Sequence, residues 1–309
     1  MRVAIMLLVA SFLTVSDRPH AATQTFKSRT PGVRVDVLVT DRGRPVDGLT
    51  VDDFELYDNG VRQTIALADF DQLPLNVVLT FDMSASLSAP RLVHLQRAAG
   101  ALLDGLTTKD RAGLVTFSHA VSLGARLTHD LASVRAAIAR AKPGGATALV
   151  DGIYAGMMIG ESGVGRALLI AFSDGVDTAS WLTPEPVLQT AKRADVVAYA
   201  VSVGQRSQDF VRDMADATGG QVFENQSAEH LEKVFLAVLN EFRRRYVLMY
   251  TPAASDPGWH RARGSAQDAP RNHQSQTRLP GRSAGHRGKV VRPKRHVAGT
   301  GWARISETH

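Results

Sequence analysis

The chain has 309 residues, of which 44% are hydrophobic and 21% charged, so it is long enough and apolar enough for one large folded domain or two smaller ones. It contains no cysteine, which excludes disulfide bonds, thiolate metal sites and thiol nucleophiles. The net charge of +6 is concentrated at the C-terminus, because residues 259–309 carry nine Arg and two Lys against one Asp and one Glu, a net +9 that leaves −3 for the rest.

The N-terminus has the layout of a secretory signal peptide. Arg2 supplies a positive charge, residues 3–15 are almost wholly apolar, and a polar stretch with small residues follows at 16–23. The apolar run is short for a membrane span, which needs about 20 residues. We therefore predict a signal peptide over residues 1–22 and an exported protein, periplasmic or secreted, with no transmembrane segment in the mature chain. An uncleaved anchor and a buried first strand are the alternatives.

Residues 31–70 are predicted to form a small antiparallel β unit. Valines alternate with other residues over 33–39, and a second alternating run covers 53–57. The Asn-Gly pair at 59–60 supplies the positive φ values that a two-residue hairpin needs, which makes 61–70 the returning strand. A unit this small needs a neighbour to pack against.

From residue 75 the pattern changes to apolar strands that alternate with helices. The strands are predicted at 75–81, 112–117, 121–127, 166–172, 196–203 and 221–223. The helices are predicted at 91–106, 131–141, 149–159, 183–194 and 207–217, with a last long helix after a cap at Ser227. Near-continuous apolar strands separated by helices favour an α/β domain over residues 74–250, with a doubly wound, mostly parallel sheet covered by helices on both faces.

Three polar loops of this domain are candidates for a site. Asp82, Ser84 and Ser86 form a D-x-S-x-S loop directly after the first strand, and Asp174 directly follows another apolar strand. Thr147 lies between them in a glycine-rich segment. Ligands of an open parallel sheet bind beyond the carboxyl ends of its strands, so these side chains are expected to meet at one edge.

Short hydroxyls and carboxylates are hard oxygen ligands that suit Mg²⁺ or Mn²⁺ with several waters retained, and we favour these ions over Ca²⁺. We predict that Ser84, Ser86 and Thr147 ligate the ion directly, while Asp82 and Asp174 hold metal-bound waters and orient the hydroxyls. An open sixth position could then accept an Asp or Glu carboxylate from a partner protein.

These segments resemble the three loops of the metal-ion-dependent adhesion site of a von Willebrand factor type A (VWFA) domain. The resemblance rests on Asp82-Met83-Ser84-Ala85-Ser86, on Thr147 within Gly-Gly-Ala-Thr-Ala-Leu, and on Asp174 within Ser-Asp-Gly-Val-Asp-Thr. The flanking pieces Asp53-Phe54, Asp58-Asn59-Gly60 and Tyr246 to Pro252 are similar to those of a VWFA-related family of exported bacterial proteins. The likeness covers about residues 31–256. One departure is Ala85, where glycine is commoner; we expect the loop to tolerate it.

The resemblance implies an exported adhesion or scaffold protein that engages an acidic side chain of a partner through the metal, and not an enzyme. Two alternatives are a structural VWFA module with a vestigial metal site and metal-independent contacts, and an accessory subunit of an enzyme complex.

The residues themselves offer little for catalysis. The segment 160–167 has the glycine spacing of a phosphate-binding loop but lacks its Lys and its Ser/Thr. Ser84 and Ser86 lack the G-x-S-x-G elbow of a serine hydrolase, and no paired carboxylates stand out as acid and base. Asp177 and Ser180, near the third loop, are interpreted as ordinary surface-loop residues.

Residues 257–309 form a basic tail with almost no apolar periodicity. Their composition predicts disorder, and a basic arm for anionic polymers is the functional alternative. Trp259 and Trp302 are too few for a stacking platform, and we expect no nucleic-acid partner. Because similar proteins usually continue with a further pair of β-strands, a frame-shifted reading of the gene from about Arg261 is a third interpretation.

Overall fold

The structure is a computed structural model that describes residues 33–41, 44–58, 61–68, 73–161, 165–203 and 209–251, with the backbone of 262–263, 291–293 and 306–307. The predicted signal peptide, the Asn-Gly pair of the predicted hairpin and most of the predicted basic tail lie outside the described residues. Among the residues that are described, no helix is both long enough and apolar enough to cross a membrane.

The described part of the chain begins with short strands and continues with strands that alternate with helices. The strands are, in chain order, β1 (Val33–Val37), β2 (Thr40–Asp41), β3 (Arg44–Pro45), β4 (Phe54–Asp58), β5 (Val61–Gln63), β6 (Ile65–Ala68), β7 (Leu75–Asp82), β8 (Arg111–Phe117), β9 (Val121–Thr128), β10 (Arg166–Ser173), β11 (Val196–Val203), β12 (Val222–Gln226), β13 (Tyr246–Tyr250), β14 (Ala262–Arg263), β15 (Val291–Pro293) and β16 (Ser306–Glu307). The helices are α1 (Ala89–Asp104), α2 (Leu131–Arg140), α3 (Leu149–Gly160), α4 (Pro184–Ala191), α5 (Asp209–Thr218) and α6 (Leu231–Arg243).

The central sheet has the strand order β12-β11-β10-β7-β8-β9. All neighbouring pairs are parallel except β8 and β9. Every residue of the central strand β7 is buried. Leu79 and Phe81 pack in the core formed with α1, α2 and α6, whereas Val78 packs in the core formed with α3, α4 and α5. The predicted doubly wound sheet with helices on both faces is therefore confirmed.

The neighbouring strands β10, β7 and β8 end together at one edge of the sheet. Phe81 of β7 lies opposite Phe172 of β10, and Asp82 lies opposite Phe117 of β8. Because these strands are parallel, the residues that follow each of them emerge at the same carboxyl edge. This register brings the predicted first and third loops next to each other.

Helix α3 lies close to the sheet because three glycines on one of its faces contact it. A Cβ on Gly152 would lie 2.3 Å from a Phe117 ring carbon, and a Cβ on Gly156 would lie 2.3 Å from Thr80 Oγ1. Gly160 continues the same face, since residues four apart are neighbours on a helix. The close packing fixes the start of α3 near the carboxyl edge of β7.

Strand β13 does not join the central sheet. It pairs with β1 on one side and with β6 on the other, antiparallel to both. The strand Tyr246–Tyr250 thus completes the sheet of the N-terminal β unit, although it lies within the range 74–250 that we predicted for the α/β domain. Valines of β1 and Leu248 share a separate core with Phe54 and Leu56 of β4.

The remaining short strands pair within the small sheets. β4 pairs with β5, with Asp58 opposite Val61, which leaves two residues for the connection. Within the range of the basic tail, β14 and β15 pair with β4, and β16 pairs with β1.

One largely buried and one partly buried ion pair connect β1 to the amino end of the central sheet. Arg166, 1% exposed, donates from Nε to Asp36 Oδ1 at 2.7 Å and from Nη2 to the Phe242 carbonyl at 2.9 Å. Its guanidinium also lies over the Phe242 ring, 4.5 Å from the centroid. Arg34 of β1 donates to the Asp195 carboxylate and, at 2.9 Å, to the Gly165 carbonyl. Charged hydrogen bonds therefore hold the β unit to the α/β domain.

Candidate metal centre

Asp82, the last residue of β7, is fully buried at the carboxyl edge of the sheet. Its Oδ1 accepts the Ser84 backbone N–H at 2.9 Å, and its Oδ2 accepts the Ser173 hydroxyl at 2.6 Å. Burial raises the pKa of the Asp82 carboxyl above its ordinary value, because desolvation outweighs these hydrogen bonds. A cation close by would favour the charged form and offset that desolvation.

A chain of hydrogen bonds links the first loop to the third. The hydroxyls of Ser84 and Ser86 lie 2.8 Å apart, and Ser86 Oγ donates to Asp174 Oδ1 at 2.6 Å. Arg91, in the first turns of α1, donates from Nη1 to Asp174 Oδ2 at 2.9 Å. Ser84 and Asp174 are buried, while Ser86 and Arg91 reach the surface. The cluster therefore opens to solvent on one side.

Backbone hydrogen bonds join the first loop to the glycine-rich second loop. The N–H of Gly144 donates to the Met83 carbonyl at 2.7 Å, and the N–H of Ala85 donates to the Gly145 carbonyl at 3.0 Å. Gly145 has φ +84°, and a Cβ there would lie 2.5 Å from His119 Nδ1, so this position requires glycine. Ala85 is exposed, and its methyl group leaves these contacts intact.

The oxygen atoms of all three loops converge beside Gly175. A methyl group on Gly175 would lie 3.1 Å from Thr147 Oγ1, 3.5 Å from Asp82 Oδ2 and 3.6 Å from Ser86 Oγ. Glycine at this position leaves room among the three oxygens that a side chain would fill. The five residues predicted from sequence as the site therefore lie in one cluster.

The third loop also forms hydrogen bonds with the backbone of Thr147. The Thr147 carbonyl accepts the N–H groups of Thr178 and Ala179 at 2.8 and 3.0 Å. The Thr147 N–H donates to Thr178 Oγ1 at 3.1 Å. The position of the Thr147 hydroxyl thus depends on the loop that follows β10.

Asp177 and Ser180 are not the ordinary surface-loop residues we expected. Asp177 Oδ2 accepts the Val150 N–H at 2.9 Å, and Ser180 Oγ accepts the same N–H at 3.0 Å and that of Asp151 at 3.2 Å. Helix α3 begins after Ala148, whose side chain has no acceptor, so its first N–H groups need partners from elsewhere. Asp177 and Ser180 supply them.

Sequence reasoning missed two further residues of the cluster. Ser173 directly precedes Asp174, and its place at a strand end is a signal that could have marked it as a partner of Asp82. Arg91 gives no such signal, since its contact with Asp174 spans 83 positions and follows no spacing rule.

The donor set suits a hard divalent cation. It combines three hydroxyls with two carboxylates, and such oxygen ligands are typical of Mg²⁺ and Mn²⁺ sites that keep several waters. Within the described ranges, no group of three or more His, Asp or Glu side chains is placed to hold a metal ion. A cation at this edge would therefore depend on the hydroxyls of Ser84, Ser86 and Thr147.

Comparison with known proteins identifies the domain. The family model of the von Willebrand factor type A domain matches residues 76–237, more than half of the chain. The chain belongs to this family. Domains of the family are generally interaction modules rather than enzymes. No curated protein matches the chain.

Solved structures of the same fold are distant in sequence. A von Willebrand factor type A protein from Catenulispora acidiphila is 20% identical with a TM-score of 0.50, covering 64% of this chain and 51% of its own. Proximal thread matrix protein 1 from the mussel byssus, described with a zinc-occupied MIDAS motif, is 18% identical with a TM-score of 0.51, covering 59% of this chain and 49% of its own. This chain thus spans about half the length of each.

Proposed function

We propose that the chain is an exported protein-binding protein, an adhesion or scaffold component, that engages an acidic side chain of a partner through a metal-ion-dependent adhesion site. One observation carries the proposal: Asp82, Ser84, Ser86, Thr147 and Asp174 come from three loops and lie in one cluster that is open to solvent on one side. Export rests on the sequence of residues 1–22 alone.

Each residue has a role in this proposal. Ser84, Ser86 and Thr147 would hold Mg²⁺ or Mn²⁺ directly, and Asp82 and Asp174 would hold its waters and orient the hydroxyls. A carboxylate of the partner would complete the coordination of the ion. The zinc-occupied motif described for the mussel protein supports a divalent cation at a site of this kind.

One contact favours a second candidate, a structural module whose metal site is vestigial. Arg91 holds Asp174 Oδ2 at 2.9 Å, and Asp174 is fully buried in that ion pair. A guanidinium can neutralise this carboxylate without any metal, and the partner contacts of such a module would be independent of metal.

Metal-dependent capture separates the two candidates. The full chain is immobilised and exposed to a cell-envelope extract in Mg²⁺ or in EDTA, beside Asp82→Asn and the surface control Asp104→Asn. The adhesion site predicts a captured protein that is lost in EDTA and with Asp82→Asn but kept with Asp104→Asn.

The carboxylate requirement needs its own control. Amidation of acidic side chains in the extract with a carbodiimide and a neutral amine should abolish the capture. Capture that survives both EDTA and amidation would contradict the proposal and support the vestigial site.

A further inference from the structure

Three large apolar side chains are exposed on the third loop. They are Val176, 59% exposed, Trp181, 93% exposed, and Leu182, 38% exposed. We call these three residues the apolar rim. Single exposed apolar residues are ordinary, but a group of them that includes a tryptophan is typical of an interaction surface.

The backbone beneath the apolar rim is held in place. The N–H groups of Trp181 and Leu182 donate to the two carboxylate oxygens of Asp151, each at 2.9 Å. Asp151 lies in the first turn of α3, four residues after Thr147. Trp181 is therefore presented to solvent on a backbone that the first turn of α3 holds in place.

The near end of the apolar rim adjoins the oxygen cluster. Val176 directly follows Gly175, whose side-chain position lies 3.1 Å from Thr147 Oγ1. Two residues further on, the Thr178 N–H donates to the Thr147 carbonyl at 2.8 Å. Val176 is therefore an exposed residue one position along the chain from the point where the oxygens converge.

The charge of the cluster indicates which ligand fits. Arg91 already pairs with Asp174, so a bound divalent cation would add positive charge to this edge of the sheet. Asp151 and Asp177 face backbone N–H groups of the loop and of α3. The partly exposed guanidinium of Arg91 and a bound cation would together favour an anionic group at the metal centre.

We propose that the apolar rim and the metal centre form one docking surface for a protein segment in which an Asp or Glu stands within two positions of a large apolar residue. This inference rests on the proposed function, because the carboxylate would be held by the metal. The apolar neighbour would pack against Val176 and Trp181 and select among acidic partners.

A random heptapeptide library displayed on phage tests the proposal. It is panned against the Mg²⁺-loaded full chain, against Trp181→Ser and against the control Val61→Ser, an exposed valine of β5, and bound phage are eluted with EDTA. Clones from the wild type and from Val61→Ser should carry an acidic residue beside a large apolar one. Clones from Trp181→Ser should keep the acid and lose the apolar preference. A peptide enriched on the wild type should bind Trp181→Ser about 30-fold more weakly.

Tryptophan fluorescence provides a direct readout. The chain has three tryptophans, so the double variant Trp259→Phe/Trp302→Phe leaves Trp181 alone. Its emission should shift to the blue when a synthetic enriched peptide binds in Mg²⁺, and not in EDTA.

Each other outcome overturns the proposal. EDTA-eluted acidic clones without an apolar neighbour would contradict a role for the apolar rim, and so would identical clones from Trp181→Ser. Either result would leave the proposed function standing. If EDTA elutes no clones from any of the three proteins, the proposed function is contradicted as well. Dimerisation of the protein alone that Trp181→Ser abolishes would assign the rim to a second copy of the chain.

Discussion

Ser86 donates a hydrogen bond of 2.6 Å to Asp174 across 88 positions of the chain. This contact joins the loop after β7 to the loop after β10, which run side by side because their strands are paired and parallel. The hydroxyl is also 2.8 Å from that of Ser84. The contact thus connects an oxygen-rich first loop to a buried carboxylate of another strand.

The space beside Gly175 should be needed for metal binding. In Gly175→Ala, the added methyl group would lie 3.1 Å from Thr147 Oγ1 and crowd the oxygens. We expect Mn²⁺ affinity to fall about 10-fold or more, the range seen when groups around a metal are disturbed. Titration calorimetry measures it. Gly144→Ala is the control, because its methyl group meets nothing within 4 Å, and an equal loss there would argue against crowding.

Asp177 should affect metal binding through Thr147 and helix α3. Asp177→Ala removes an acceptor from the first turn of α3 and should lower the free energy of unfolding by about 0.5–2 kcal/mol. Mn²⁺ affinity should fall as well. Asp130→Ala removes a similar cap from α2, where Asp130 accepts the Ser133 N–H. Asp130→Ala should lower the free energy of unfolding by a similar amount and leave Mn²⁺ affinity unchanged. An equal change in Mn²⁺ affinity in both variants would contradict a specific effect of Asp177 on metal binding.

The glycine face of α3 should be sensitive to a single methyl group. In Gly156→Ala the new Cβ would lie 2.3 Å from Thr80 Oγ1 and 2.5 Å from a Leu169 methyl, so we expect a loss of about 1–3 kcal/mol in urea unfolding. Gly100→Ala on α1 meets only the flexible end of Arg135 and should be neutral or stabilising by about 1 kcal/mol. Similar stability of Gly156→Ala and wild type would show that α3 can move away from the sheet.

The buried pair of Asp36 and Arg166 should hold the β unit to the α/β domain. Asp36→Asn leaves a buried guanidinium without its counter-charge and should lower stability by about 3 kcal/mol or more. Asp104→Asn breaks an exposed pair with Arg135 and should change stability by about 1 kcal/mol or less. Equal unfolding midpoints for the two variants would contradict the structural role of Asp36.

Local patterns predicted most of the α/β domain, because its signals lie within single elements. The buried run of β7 and the apolar face of α6 are each visible in about a dozen residues or fewer. The five site residues could be proposed from sequence because each lies at the end of an apolar strand or in a short loop that leads into a helix. Parallel pairing then brings such positions together.

Contacts between distant elements could not be predicted in this way. An alternating strand such as β13 does not specify its partners, so its pairing with β1 and β6 was not foreseen. Arg91 reaches Asp174, and Asp177 reaches the α3 N-terminus, only because the tertiary fold brings them together. Such side chains look like ordinary surface charges in a sequence.

Hydroxyls of separate loops are proposed to form one cation site, and calorimetric titration of Mn²⁺ into the full chain measures whether they do. Ser84→Ala and Thr147→Val each remove one hydroxyl, and Thr190→Val, which removes a hydroxyl bonded to the Pro186 carbonyl of α4, is the control. We expect one saturable site in the wild type and in Thr190→Val, and a loss of affinity of about 10-fold or more in both site variants. No saturable heat in the wild type, or equal affinities in all four proteins, would contradict it.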